Sequence, residues 1–170
     1  MTGTRALFIG RFQPFHRGHL YMLRQILEDF GEVFLGIGSS QFSHTLQNPF
    51  TSAERYEMIQ RTLEDEGLEG CRIVPIPDVG AHSQWVSHVL SLVPPFEAVF
   101  SHDPLTRQLF QEAGITVLEK PLLDRGTFSG TEIRRRILEG GNWKELVPPP
   151  VADFIEEIDG VARVRAISDQ

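Results

Sequence analysis

Gly10-Arg11-Phe12-Gln13-Pro14-Phe15-His16-Arg17-Gly18-His19 is the stretch around which the rest of the chain is organised. An apolar run, Ala6-Leu7-Phe8-Ile9, precedes it and reads as a buried first strand. Leu20, Met22, Leu23, Ile26 and Leu27 follow at helical spacing. A strand therefore ends in glycine, a short loop carries Arg11, and His16 and His19 open a helix. Positions i and i+3 share a helix face, so both imidazoles can address one ligand. A helix start also offers unpaired backbone N–H groups and the positive end of the helix dipole. The combination asks for a phosphate.

Outward from there, strands and helices alternate. Val33 to Gly38 reads as a second strand, apolar throughout and so covered on both faces. Thr51-Ser52-Ala53-Glu54 is a capping box for a helix that runs to Glu66 and stops at Gly67. A third strand is expected over Arg72–Pro77, with Pro75 suited to an edge. Trp85, Val86, Val89, Leu90 and Leu92 form one face of the next helix, which Pro94-Pro95 ends. A fourth strand over Phe96–Ser101 leads to Asp103-Pro104, an N-cap followed by a first-turn proline. A fifth is expected over Ile115–Leu118. Ser129-Gly130-Thr131-Glu132 reads as a second capping box, opening a helix to Glu139. The expected architecture is α/β: a Rossmann-like parallel sheet of about five strands, with helices on both faces and a short helical C-terminal tail. The chain reads as a single domain over 1–170, with the core in 1–140 and the tail in 141–170. Such sheets gather their strand-to-helix loops at one edge, where ligands bind.

Composition narrows the function. Sixteen Lys and Arg against 23 Asp and Glu give a net charge of −7, which argues against general nucleic-acid binding. An anionic ligand must then be held by a local cluster of cations. No apolar run reaches the roughly 20 residues of a membrane span, and no signal-peptide pattern opens the chain, so a cytoplasmic location is expected. The single cysteine, Cys71, permits no internal disulfide and no thiolate zinc site, and reads as a plain buried thiol. His16 and His19 as zinc ligands would need a third, for which His44 is the one candidate. No metal site built from protein side chains is expected.

With these residues in place, the chain resembles the nucleotidyltransferases marked by an H-x-G-H signature, and among them the archaeal-type nicotinamide-nucleotide adenylyltransferases. The motifs are Gly10 to His19; Gly36-Ile37-Gly38-Ser39-Ser40-Gln41; Ser43-His44 with Asn48-Pro49-Phe50-Thr51; Trp85; Pro94-Pro95-Phe96; and Ser129 to Arg136. The resemblance implies transfer of AMP from ATP to nicotinamide mononucleotide (NMN), a magnesium requirement met with ATP, and a homo-oligomer, commonly a hexamer among archaeal members. It assigns His16, His19 and Arg134 to catalysis. Gly10, Arg11, Phe12, Gly18, Ser129, Gly130 and Thr131 fall to ATP, with Gly18 leaving space for the nucleotide. Gly38, Ser39, Asp78, His82, Trp85 and His102 fall to the mononucleotide, with the Trp85 indole stacked on the pyridinium ring. Arg135 and Arg136 are left as a solvated face or subunit contacts.

The nucleophile in such a reaction is a phosphate oxygen, already ionised at neutral pH. Alignment and neutralisation of charge on the leaving pyrophosphate are what a protein must supply. Three departures from the family pattern stand out: His82 for asparagine, Ser101-His102-Asp103-Pro104 for Ser-Gly-Asn-Pro, and Gln47 for an arginine. A histidine, able to carry charge, suits a carboxylate better than asparagine does. Acceptance of nicotinate mononucleotide beside NMN is therefore expected. The competing readings are an adenylyl- or cytidylyltransferase of the same superfamily acting on FMN, phosphopantetheine or glycerol phosphate, and a non-catalytic nucleotide-binding module. A class I aminoacyl-tRNA synthetase shares the histidine signature, but this chain is too short for one.

Overall fold

The computed structural model describes residues 4–169. Four strands form one parallel sheet in the order β3-β2-β1-β4: β1 (Arg5–Gly10), β2 (Glu32–Ile37), β3 (Cys71–Pro75) and β4 (Ala98–Phe100). Helices α1 (Arg17–Asp29), α2 (Ser52–Glu66), α3 (His82–Leu92) and α4 (Pro104–Glu112) connect or follow them. Next come α5 (Gly130–Glu139), a 3₁₀ turn (Lys144–Leu146), α6 (Pro149–Glu157) and α7 (Gly160–Ser168). Among the described residues, no helix is long and apolar enough to cross a membrane.

β1 lies inside the sheet, and its alternation explains two cores rather than one. Ala6 and Phe8 face a cluster with residues of α1, α2 and α5–α7. Leu7 and Ile9 face the other, which contains Trp85, Val89 and Phe110 from α3 and α4. The chain builds outward from β1 through β2 to β3, then returns to place β4 on the other side of β1. The reversal opens a crevice beyond the carboxyl ends of β1 and β4, the place where such sheets bind ligands.

The expected fifth strand shrinks to one bridge, Val99 with Val117, where Val99 N donates to Thr116 O and Leu118 N to Val99 O. The reason is the length of its neighbour. β4 has three residues, and beyond Phe100 the chain turns, with Ser101 Oγ accepting from Asp103 N. β3 begins at Cys71 and ends at Pro75, on the sheet edge, as a proline there requires.

The helix caps match the sequence with one exception. Thr51 and Glu54 form the full capping box of α2, and Gly67 ends it in the left-handed conformation. At α5 only the serine half forms: Ser129 Oγ accepts from Glu132 N at 3.1 Å. The Glu132 carboxylate is instead drawn to Arg135 and Arg136, which also pair with Glu139 and Glu145 respectively. Both arginines are thus engaged within the chain. Cys71 is half-buried, its thiol pushed up to about 11 by burial.

Candidate active site

His16 is the N-cap of α1, and the cap is made by imidazoles alone. Its Nδ1 accepts from Gly18 N at 3.0 Å and His19 N at 3.3 Å, while His19 Nδ1 accepts from His16 N at 3.1 Å. The rings stack with centroids 3.6 Å apart. Phe12 and Phe15 press on His19 from outside the pair, with centroids at 4.7 and 5.4 Å.

A ring nitrogen that accepts a hydrogen bond carries no proton, so both neutral rings hold theirs on Nε2. Burial keeps them neutral. It pushes His16 down to about 3, helped by His102, Arg125 and Arg134, and lowers His19 in the same direction. Each imidazole is therefore a fixed N–H donor and not a base. The unpaired amides expected at this helix start are already taken at Gly18 and His19, so donation passes from the backbone to the rings.

Gly18 has a related role. A Cβ there would lie 2.9 Å from His16 Cε1 and 3.0 Å from Nδ1. The missing side chain makes room for the His16 ring.

Arg134 is 9% exposed. Its Nη1 donates to Gln13 O at 2.8 Å, which pins the start of α5 to the loop after β1. Gly130 permits this, since a Cβ there would stand 2.7 Å from Nη1. Burial, with Arg11 nearby, pushes the guanidinium down to about 10, so it stays charged at neutral pH. Ser129 leaves the Gly130 and Thr131 amides among the orphan donors of α5.

The opposite wall comes from the loops after β2, β3 and β4. Ser39 donates from Oγ to Asp78 Oδ2 at 2.6 Å. Gln41 clamps the Asp78 backbone, accepting from its N at 2.9 Å and donating to its O at 3.0 Å. Gln13 does the same to Phe50, at 2.9 and 3.0 Å. Trp85 stands edge-on to Phe110 at 5.4 Å, a core residue that also lines the cleft. His82 is exposed at the first turn of α3. His102 is half-buried beside Phe8, and burial with Arg125 and Arg107 pushes it down to about 4. Asp103 caps α4 as expected, accepting from Thr106 N at 3.0 Å.

All the site residues named from the sequence line one cleft of about 560 Å³, well within the roughly 300–1,000 Å³ of small-molecule sites. His44 and Gln47 are not among its lining; His44 is exposed and pairs with Ser43. Arg125, which also lines the cleft, was missed. Its signal was a lone cation in the loop just before Ser129. Among the described residues no three His, Cys, Asp or Glu side chains converge on a cation position. Of the acids in the cleft, Asp78 is tied to Ser39 and Asp103 to its cap.

The family model described as cytidylyltransferase-like matches residues 7–136, from β1 into α5. This chain belongs to the cytidylyltransferase-like family. Within that family it is 52% identical over 165 residues to a nicotinamide-nucleotide adenylyltransferase of Picrophilus torridus, covering 97% of this chain and 98% of the relative. A protein of the same name from Archaeoglobus fulgidus is 46% identical over 169 residues, covering 96% and 97%. The chain therefore sits in the archaeal adenylyltransferase branch of the family. A crystal structure of a bifunctional NMN adenylyltransferase/ADP ribose pyrophosphatase from Francisella tularensis, complexed with AMP and a manganese ion, superposes with a TM-score of 0.77 at 24% identity. It covers 96% of this chain, which spans about half the length of that protein (51%). That likeness concerns the fold.

Proposed function

We propose that this chain transfers the AMP group of ATP to the 5′-phosphate of NMN, giving NAD and pyrophosphate. The observation that carries the proposal is the pair of neutral, Nε2-protonated imidazoles, stacked on each other, in the same cleft as a buried, charged Arg134. The near-full-length likeness to nicotinamide-nucleotide adenylyltransferases supports the acceptor.

An oxygen of the mononucleotide phosphate attacks the α-phosphorus, and the bond from that phosphorus to the bridging oxygen of the β-phosphate breaks. Pyrophosphate leaves with the bonding electron pair. The nucleophile needs no base, so rings unable to take a proton at neutral pH suit the task. His16 and His19 donate from Nε2 to oxygens of the reacting phosphates, where negative charge redistributes. Arg134, with Arg11 and the Gly130 and Thr131 amides, holds the departing β- and γ-phosphates. A divalent cation entering with ATP would supply further charge neutralisation. Trp85 receives the pyridinium ring where it lines the cleft. The direct test is pyrophosphate release by the purified chain from magnesium-ATP with NMN, FMN, phosphopantetheine and glycerol phosphate in parallel. Release with NMN alone is expected; release with another acceptor and not NMN removes the proposal.

His82, at the rim of the same cleft, favours a second acceptor, nicotinate mononucleotide. Turnover on the nicotinate form is compared with that on NMN at pH 6 and pH 8. Negligible turnover of the nicotinate form at both pH values ends that reading.

A further inference from the structure

Arg55, the fourth residue of α2, has no exposed surface and was no part of the sequence reading. A buried cation ordinarily sits against a carboxylate. This one does not. Its neighbour Glu54 is spent on Arg163 of α7, at 2.6 and 2.8 Å. The Arg55 guanidinium instead donates only to backbone carbonyls. Nε meets Thr51 O at 3.2 Å, and Nη1 meets both Arg11 O at 3.0 Å and Gly38 O at 2.9 Å. Nη2 reaches Ser39, Ser40 and Phe42 at 3.3, 3.4 and 3.3 Å. Burial and the nearby Arg11 push it down to about 10, so it remains charged at neutral pH.

The placement of those carbonyls gives the cation its meaning. Arg11 belongs to the loop that carries the histidine pair. Gly38 and Ser39 belong to the loop that holds Asp78 on the acceptor wall. One nitrogen, Nη1, bridges the two. Ser39 adopts a left-handed backbone (φ 48°), a conformation that costs energy outside glycine and persists only where its surroundings impose it.

We infer that Arg55 is a positioning residue that sets the acceptor wall of the cleft against its triphosphate wall, an inference that rests on the function proposed above. In-line attack requires the acceptor oxygen and the α-phosphorus to be held in register, and the two walls meet at this guanidinium. Lysine carries the same charge on one nitrogen, which cannot meet Arg11 and Gly38 while also holding Thr51, Ser39, Ser40 and Phe42 as the guanidinium fork does. A displacement of about 1 Å remote from the chemistry can cost on the order of 10²-fold in rate.

Arg55→Lys and Arg55→Gln are compared with the native chain, with ATP sites counted and ATP affinity measured by calorimetric titration, so that loss of folded protein does not alter the rate per site. Expected are a kcat per site lowered about 100-fold, ATP binding within about fivefold of native, and faster amide exchange at residues 38–42. The inference is overturned by a kcat per site within threefold of native in either variant. It is equally overturned by a rate loss matched by weakened ATP binding, by unchanged exchange at 38–42, or by the absence of countable sites in both variants. The native control separates the two claims: no pyrophosphate release by the native chain with NMN overturns the function itself, whereas native turnover with unaffected variants overturns only the role of Arg55.

Discussion

His16 and His19 on one wall of the cleft and His82 on the other are the same residue type under opposite constraints. The first two are buried, stacked, and committed through Nδ1 to the start of α1. His82 is exposed at the start of a helix whose N-cap, Ala81, makes no side-chain bond. An imidazole that completes a helix cap cannot drift or change charge without loosening the helix behind it. One at an exposed rim can be exchanged for another residue at little structural cost. The buried histidine wall is therefore fixed by the helix it caps, whereas the exposed rim can change at little structural cost.

The largest expected effect separates the cap from the donor within His16. Asparagine is a good N-cap but does not place a donor where Nε2 stands. His16→Asn should melt within a few degrees of the native protein yet lose about 10²–10³-fold in kcat, the usual cost of removing a preorganised donor. A melt far below native with little change in kcat would make the pair a cap and nothing more.

Arg134→Lys comes next. It keeps the charge but gives up the planar fork between Gln13 O and the phosphates. A fall of about 10–100-fold in kcat/KM for ATP is expected, read from initial rates at saturating NMN. An unchanged value would show that the charge alone matters.

Across the cleft, Trp85→Ala should raise KM for NMN by about tenfold, in line with a cation–π contact of about 1–2 kcal/mol. KM for ATP should move much less. Equal changes in both would assign Trp85 to the core with Phe110 and leave the pyridinium without a partner.

The smallest effect is on stability with pH. His16 is held at about 3 in the folded chain against an ordinary 6.5. As pH falls through that interval, the unfolded chain binds a proton that the folded chain refuses. This group's stabilisation is therefore complete above about pH 6.5 and is lost progressively down to about 3. Thermal melts should be level from pH 7 to 8 and descend from pH 6 to 4, less steeply in His16→Asn. An equal descent in both proteins would place the titrating groups elsewhere.

Much of the cleft was legible from local pattern. Gly10 to His19 follows an apolar run and precedes a 3.6-residue periodicity, so strand, loop and helix start are each written in adjacent residues. Ser129 and Gly130 announce α5 in the same way. Arg125 was overlooked because nothing local marks a single loop cation; its relevance depends on which wall the loop faces. The fifth strand was overestimated because a strand's existence depends on its neighbour. Ile115–Leu118 has the composition, but three-residue β4 offers it only the Val99 position. The second capping box was half right, because Glu132 is within reach of two arginines that outbid the backbone N–H for its carboxylate.

The sequence by itself determined the alternation of strands and helices, the caps, and the residue types of a phosphate cleft, since each of these follows from contacts within a few residues. Only the tertiary structure decided what those residues do to one another. It showed that His16 and His19 cap each other and so present Nε2–H. It showed that Gly18 and Gly130 are empty for the sake of His16 and Arg134. It also revealed Arg55, an unremarkable residue of α2 by sequence, as the cation that joins the loops after β1 and β2. The physical reason is separation along the chain: Arg55 stands 44 residues from Arg11 and 17 from Gly38, and no periodicity records which carbonyls a buried guanidinium will meet.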